Sequence, residues 1–206
     1  MKLIYSTKIR IDKSKGNLLM VGKDNPLPKD YRPPDMITPH VAFADNDNFV
    51  KTLLRKEAAH AIEHLFDSAY KCNLKLYGIS FFRPYFRQQA IYNSAVATKG
   101  EQYATLYISQ PGASEHQSGL SADVSSQSAG LALTPSFAHL PEGIWLSQNA
   151  HKYGFILRYP LGKEGITGYA FEPWHIRYVG KCAAKNIYRN NLCFEEWYDI
   201  NKKYFS

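Results

Sequence analysis

The 206-residue sequence is poor in cysteine, with only Cys72, Cys182 and Cys193. Their odd number and the lack of a C-x-x-C pair exclude a disulfide framework and a cysteine-based zinc site. We therefore expect free thiols, although one pair could form a bridge in an oxidising compartment. The sequence also lacks an apolar run near the roughly 20 residues of a membrane-spanning helix, and no secretory signal is visible at its start.

Runs of basic charge are absent as well. The 25 Lys and Arg residues exceed the 18 Asp and Glu residues, which gives a net charge of +7. They are scattered, however, and no DNA- or RNA-binding motif accompanies them, so we do not expect a nucleic-acid partner. A polyanionic polymer or an acidic peptide would suit the same surface charge.

The length and composition of the sequence predict one globular domain. Apolar residues make up 45% and aromatic residues 14% of the chain, enough for an ordinary core. Residues 1–49 contain several Pro-rich breaks and are predicted to form an extended arm of the same domain, which residues 50–206 complete. We find no internal repeat.

Hydrophobic periodicity predicts an α+β fold, with a central antiparallel sheet that forms the floor of the site and helices that flank it. The predicted strands are residues 75–82, 122–124, 155–160 and 175–179. The predicted helices are residues 50–73, 85–96, 141–154, 183–190 and 194–203.

Two short stretches carry most of the chemistry, SEHQSGLSAD at residues 114–123 and EPWH at residues 172–175. They supply two imidazoles, His116 and His175, and one ligand-type carboxylate, Asp123. Three N or O ligands leave the fourth position of a zinc ion open, as in catalytic zinc sites. Glu172 lies three residues before His175 and could accept a proton. The pattern predicts a zinc hydrolase.

A second metal-like pattern competes with this site. His60, Glu63 and His64 match the H-x-x-E-H signature of another class of zinc peptidases. On the helix predicted for residues 50–73, however, His60 and Glu63 fall well away from the apolar stripe. No third ligand accompanies them, so we interpret the pattern as a polar helix face.

The sequence resembles the VanY-type D-alanyl-D-alanine carboxypeptidases, zinc peptidases that trim peptidoglycan stem peptides. The resemblance rests on motifs, in the family's order, within residues 80–88, 111–123, 153–160 and 167–180. It implies that one Zn²⁺ is bound by His116, Asp123 and His175. It also implies that Glu172 is the catalytic base.

The resemblance further implies a substrate-binding set that comprises Arg83, Gln88, Ser114 and Tyr169. Arg83 would pair with the terminal carboxylate of the peptide or stabilise the tetrahedral oxyanion, and so counts as catalytic too. Tyr169 would belong to the pocket wall. One position departs from the family, because Pro84 stands where Ser or Thr is usual. We expect this change to affect substrate preference rather than the metal or the base.

We therefore expect a zinc-dependent D,D-carboxypeptidase that removes the terminal D-Ala from peptidoglycan stem peptides or precursors. The alternatives are an L,D-carboxypeptidase or D-Ala-D-Ala dipeptidase of the same fold, or a non-catalytic, zinc-stabilised cell-wall-binding module. Some relatives act in vancomycin resistance. The predicted location is the bacterial cell envelope if the chain is part of a longer protein, and the cytoplasm if Met1 is its native start. The sequence makes no prediction of oligomeric state.

Overall fold

The computed structural model describes residues 16–45 and 49–204, and predictions for the other positions lie outside these residues. The strands are β1 (Met36–Ile37), β2 (Leu54–Arg55), β3 (Leu76–Ser80), β4 (Ser121–Ser126), β5 (Phe155–Tyr159) and β6 (Glu172–Tyr178). The α-helices are α1 (Lys56–Tyr70), α2 (Tyr85–Lys99), α3 (Glu101–Tyr107), α4 (Pro141–Asn149), α5 (Glu164–Thr167), α6 (Lys181–Arg189) and α7 (Phe194–Asn201).

Strands β3 to β6 form one antiparallel sheet in the order β3-β4-β6-β5. This sheet and the helices around it confirm the predicted α+β class. No helix in the described part of the chain is long and apolar enough to cross a membrane. Cys72, Cys182 and Cys193 are free, as predicted.

The two inner strands, β4 and β6, have one apolar face and one polar face. Ala122 lies opposite Ile176, and both are fully buried in the core that α1 and α4 complete. Because side chains alternate along a strand, the next pair, Asp123 and His175, points to the other side of the sheet. The alternation thus places the candidate site residues on one face of the sheet and the apolar core on the other.

Helix α1 begins later than predicted. Its predicted range started at residue 50, but Phe49–Thr52 forms a 3₁₀ turn and β2 follows it, paired antiparallel with β1. The Arg55 N–H donates to Gly119 O at 2.8 Å, so tertiary pairing overrides the apolar period here. From α1 onwards the predicted stripe is buried, with Ala58, Ala61, Ile62, Leu65 and Ala69 in the core.

The other predicted elements agree with the structure apart from their ends. Strand β6 begins at Glu172 rather than residue 175, and α3 and α5 lie in stretches where we predicted no helix. The predicted end of the third helix, residues 141–154, at Gly154 is confirmed. Helix α4 continues as a 3₁₀ turn to Tyr153, and Gly154 then adopts the left-handed conformation with φ +90°.

Residues 16–45 of the predicted arm pack against the sheet and its loops. The Leu27 N–H donates to Gly112 O at 2.8 Å, and the Gln117 side chain donates to Pro28 O at 2.8 Å. An isolated β-bridge between Phe43 and Gly78 adds a contact between this segment and β3. The boundary at residues 49 and 50 stays a prediction.

Gly143 in α4 has no room for a side chain. A Cβ there would lie 1.9 Å from the carbonyl oxygen of Phe137. We expect Gly143→Ala to lower the free energy of unfolding by roughly 1–3 kcal/mol, because α4 must move away from that backbone. Urea denaturation followed by circular dichroism measures the change.

Gly165→Ala is the matched control, since a Cβ at this helical position meets nothing within 4 Å. It should leave stability unchanged or raise it by up to about 1 kcal/mol. Equal stability of the two variants would contradict the close approach at Gly143.

Candidate active site

Three buried side chains, His116, Asp123 and His175, converge on the polar face of the sheet. Asp123 in β4 lies directly opposite His175 in β6, and His175 Nδ1 is 2.9 Å from Asp123 Oδ1. His116, from the 3₁₀ turn Glu115–Ser118, brings Nε2 to 3.2 Å from Asp123 Oδ2. One candidate ligand atom from each residue lies within 4.8 Å of the others.

Backbone contacts orient His116. Its Nδ1 lies 2.6 Å from the carbonyl oxygen of Phe81, which can only accept a hydrogen bond. Nδ1 therefore carries the proton, and Nε2, which lies on the side of Asp123, has its lone pair free to bind a cation. Gly119 then turns the chain into β4 with φ +69°, and a Cβ there would lie 2.7 Å from Met36 Sδ. A larger residue would not fit at Gly119.

Burial and mutual contact shift the pKa of each of the three groups. Burial raises the pKa of Asp123, but His116 and His175 together hold it well below its usual range, so the carboxylate is ionised. Burial lowers the pKa of His116. Burial also lowers the pKa of His175, but the hydrogen bond to Asp123 and the charges of the neighbouring carboxylates outweigh this effect and raise it to about 9. Two imidazoles and one carboxylate are a common donor set for catalytic zinc, and the group fits that ion.

Glu172 begins β6 at the edge of this group. Its Oε2 lies 3.9 Å from His175 Nδ1. Burial raises its pKa to about 7, although His175 opposes this shift. A carboxyl group with a pKa near neutrality can both accept and release a proton under physiological conditions.

The guanidinium of Arg83 lies on the other side of Asp123, with Nη2 3.5 Å from Asp123 Oδ2. It donates to Gln88 Oε1 at 2.9 Å and to Ser80 Oγ at 3.1 Å. Gln88 is held in turn, because its Nε2 donates to Ser109 O at 2.6 Å. Both ends of the Gln88 amide are therefore engaged within the protein, and Gln88 orders Arg83.

Pro84, the departure from the family pattern, precedes the first turn of α2. Its carbonyl oxygen accepts hydrogen bonds from the N–H groups of Arg87 and Gln88 at 3.0 and 3.1 Å. A helix start leaves its first N–H groups without intrahelical partners, so the missing N–H of proline costs little here. Pro84 thus helps to place Gln88 beside Arg83.

One cavity of about 190 Å³ brings all the predicted site residues together. It is lined by Arg83, Gln88, Ser114, His116, Asp123, Tyr169, Glu172 and His175. Ser114 and Tyr169 are both buried in its wall. The roles predicted for these residues stay predictions, but their convergence on one cavity is observed.

Tyr159 is a cavity residue that sequence reasoning missed. Its ring lies 5.1 Å from the ring of His175, between ring centres. The pairing of β5 with β6 shifts register between Leu157 and Tyr159, which points to a β-bulge beside the site. Trp174 also lines the cavity.

Glu115, next to a predicted ligand, was missed as well. Its fully buried side chain accepts hydrogen bonds from Arg158 Nε at 2.8 Å and from Arg177 Nη1 at 2.7 Å. Both arginine side chains are buried, and Arg177 belongs to the inner strand β6.

The competing motif lies on the surface of α1. The His60 side chain is exposed, and its Nδ1 lies 3.2 Å from Glu63 Oε2. Glu63 also accepts a hydrogen bond from the His40 backbone N–H at 2.7 Å. In residues 16–45 and 49–204, only His116, Asp123 and His175 form a group with metal-ligand spacing. The interpretation of the motif as a polar helix face is confirmed.

Comparison with known proteins identifies the class that this fold and site define. The sequence profile of the VanY D-alanyl-D-alanine carboxypeptidases matches residues 51–181. The chain belongs to this family, as its motifs predicted. It is 46% identical over 186 residues to the YodJ protein of Bacillus subtilis (strain 168), covering 90% of this chain and 68% of YodJ.

Solved structures extend the similarity to the fold. The L,D-carboxypeptidase LdcB shares 45% identity and a TM-score of 0.86, covering 92% of this chain and 88% of LdcB. A vancomycin-resistance D,D-pentapeptidase, VanY from a VanB-type cassette, was solved as a point mutant in complex with Zn(II). It shares 32% identity and a TM-score of 0.69, covering 88% of this chain and 98% of that one.

We expect the protein to bind one Zn²⁺ per chain, and His175→Ala to abolish this binding because it removes a ligand. The double variant His60→Ala/His64→Ala should keep the ion. Metal content after dialysis, measured by mass spectrometry, compares the variants. Retained zinc in His175→Ala, with loss in the double variant, would move the site to α1.

Proposed function

We propose that the protein is a zinc-dependent carboxypeptidase that removes the terminal D-Ala from peptidoglycan stem peptides or their precursors. One observation carries this proposal. A group with metal-ligand spacing, a carboxyl group with a pKa near 7 and a partly buried guanidinium line the same 190 Å³ cavity. Hydrolysis at a chain end needs these three components together.

Glu172 acts as the base in this proposal. His116, Asp123 and His175 would hold a zinc ion, which when bound would lower the pKa of a water to near 7 and polarise the scissile carbonyl. Glu172 would take the proton of the attacking water and later deliver it to the departing amine. Its raised pKa suits both steps, and positioned proton transfer of this kind is typically worth ~10²–10⁴ in rate.

Arg83 recognises the chain end. Its planar fork of N–H donors can bind the terminal carboxylate of the peptide, which an internal peptide bond does not offer. Gln88 and Ser80 hold the guanidinium in place through their hydrogen bonds to it. We assign Gln88 to the substrate site through this support of Arg83, and Ser114 and Tyr169 to the wall that surrounds the terminal residue.

The bond that is cut distinguishes two candidates. The sequence predicts a D,D bond, as in a pentapeptide stem. An L,D bond, as in a tetrapeptide stem, is the second candidate, and the 45% identity with LdcB supports it against 32% for the D,D-pentapeptidase VanY. Both substrates end in D-Ala, so Arg83 serves either one. The two substrates differ in the residue that precedes the terminal D-Ala.

A panel of stem peptides tests the activity and the bond choice together. Release of D-Ala from a pentapeptide would indicate D,D activity, and its release from a tetrapeptide would indicate L,D activity. Its release from the free dipeptide would indicate dipeptidase activity. A chelator should abolish turnover, and Zn²⁺ should restore it. Mass spectrometry of the products separates these outcomes.

The control peptide carries an amidated C-terminus. It should react more slowly by roughly 10²-fold or more, because it cannot form the charged pair with Arg83. Equal rates for the amide and the acid would contradict the role of Arg83. Binding of the peptides without turnover in a zinc-loaded sample would instead support the cell-wall-binding module.

Glu172→Gln should lower kcat by about 10²–10⁴ while zinc stays bound, because the amide cannot take up the proton. Product formation and metal content are measured on the same sample. Glu142→Gln is the control, since the Glu142 carboxylate in α4 accepts a hydrogen bond from the Ser128 hydroxyl, away from the cavity. Full activity of Glu172→Gln would exclude Glu172 as the base.

A further inference from the structure

The second ring nitrogen of His175 faces a carboxylate that the proposed mechanism does not use. His175 Nδ1 points to Asp123 on the side of the metal triad. Nε2 points the opposite way, is buried, and has no hydrogen-bond partner among the described residues. The Oε2 atom of Glu115 lies 3.8 Å from it.

The tautomer of His175 makes this neighbour important. An imidazole that offers the lone pair of Nδ1 to a cation must carry its proton on Nε2. A buried N–H without an acceptor is unfavourable, and metal-binding histidines commonly donate this second N–H to a carboxylate. A hydrogen bond to Glu115 would require the two atoms to approach by only about 0.6–1 Å.

Glu115 is held firmly enough to serve as this acceptor. Its Oε1 takes two charged hydrogen bonds, from Arg158 and Arg177, and its Oε2 takes one from the Ser121 hydroxyl at 3.2 Å. These contacts leave room at Oε2, since a carboxylate oxygen accepts two hydrogen bonds.

The two arginines are anchored in turn. Arg158 Nη1 donates to Glu195 Oε2 at 2.9 Å, and Arg177 Nη2 donates to the carbonyl oxygens of Asn17 and Leu19 at 3.2 and 2.6 Å. Two carboxylates therefore balance two guanidiniums. The cluster places a full negative charge beside His175 without a net buried charge.

We propose that Glu115 is a positioning residue that accepts a hydrogen bond from the Nε2–H group of His175 and so presents Nδ1 to the metal. This inference rests on the metal site of the proposed function. Glu115 touches neither the peptide nor the reacting atoms. It acts by fixing the tautomer and the orientation of the ring.

Zinc affinity tests the role without any reaction. Glu115→Gln keeps the size of the side chain but removes its charge, and we expect zinc affinity to fall by about 10–100-fold in competition with a chelator. Glu195→Gln is the matched control, because it removes a carboxylate from the same Arg158 without contact to His175. It should keep zinc affinity within about threefold of the wild type.

Equal affinity of Glu115→Gln and the wild type would overturn the proposal. Equal losses in both variants would overturn it as well, since they would indicate a structural role of the whole cluster. If Glu115→Gln does not fold, the wild-type protein still gives an answer. In a ¹⁵N-histidine NMR spectrum of the zinc-loaded protein, His175 should show a proton on Nε2 that exchanges slowly with solvent. A proton on Nδ1 would contradict the proposal.

Failure of this inference is distinguishable from failure of the proposed function. If the wild type binds zinc but cleaves none of the peptides, the carboxypeptidase assignment fails and the role of Glu115 can still be measured. If peptides are cleaved and Glu115→Gln binds zinc normally, only the positioning role fails.

Discussion

The register between β4 and β6 is the constraint on which the site depends. It sets Asp123 opposite His175, and the neighbouring pair, Ala122 and Ile176, then faces the core. A slip by one residue would exchange the two faces and bury the ligands among apolar side chains. The hydrophobic packing of α1 against the sheet therefore stabilises the geometry of the metal triad as well as the fold.

Several charged side chains on the polar face of the sheet are buried away from water. Isolated buried ions are costly, and each one here has a partner of opposite sign. Burial raises the pKa of Glu115, but Arg158 and Arg177 lower it well below the usual range, so the group stays ionised. Through Glu195 and the carbonyl groups of Asn17 and Leu19, this cluster ties α7 and the N-terminal described segment to the floor of the site.

Local patterns explain which features were predictable. The candidate ligands, the candidate base Glu172 and Arg83 stand in short motifs that sequence reasoning could interpret, and the strand periods predicted the α+β class. The start of α1 was not accessible, because it depends on the hydrogen bond between Arg55 and Gly119. Glu115 stands inside a motif, but its partners are 43 and 62 residues away in the sequence. Such convergence requires the register of the strands, which the sequence does not show.

The hydrogen bonds around Arg83 have a consequence for recognition. Gln88, Ser80 and Asp123 restrict the guanidinium before any ligand arrives. The conformational entropy of this long side chain is therefore lost during folding and not during association. A carboxylate that binds to Arg83 would therefore meet a preorganised side chain, and its selectivity would depend on how rigidly the surrounding residues hold the guanidinium.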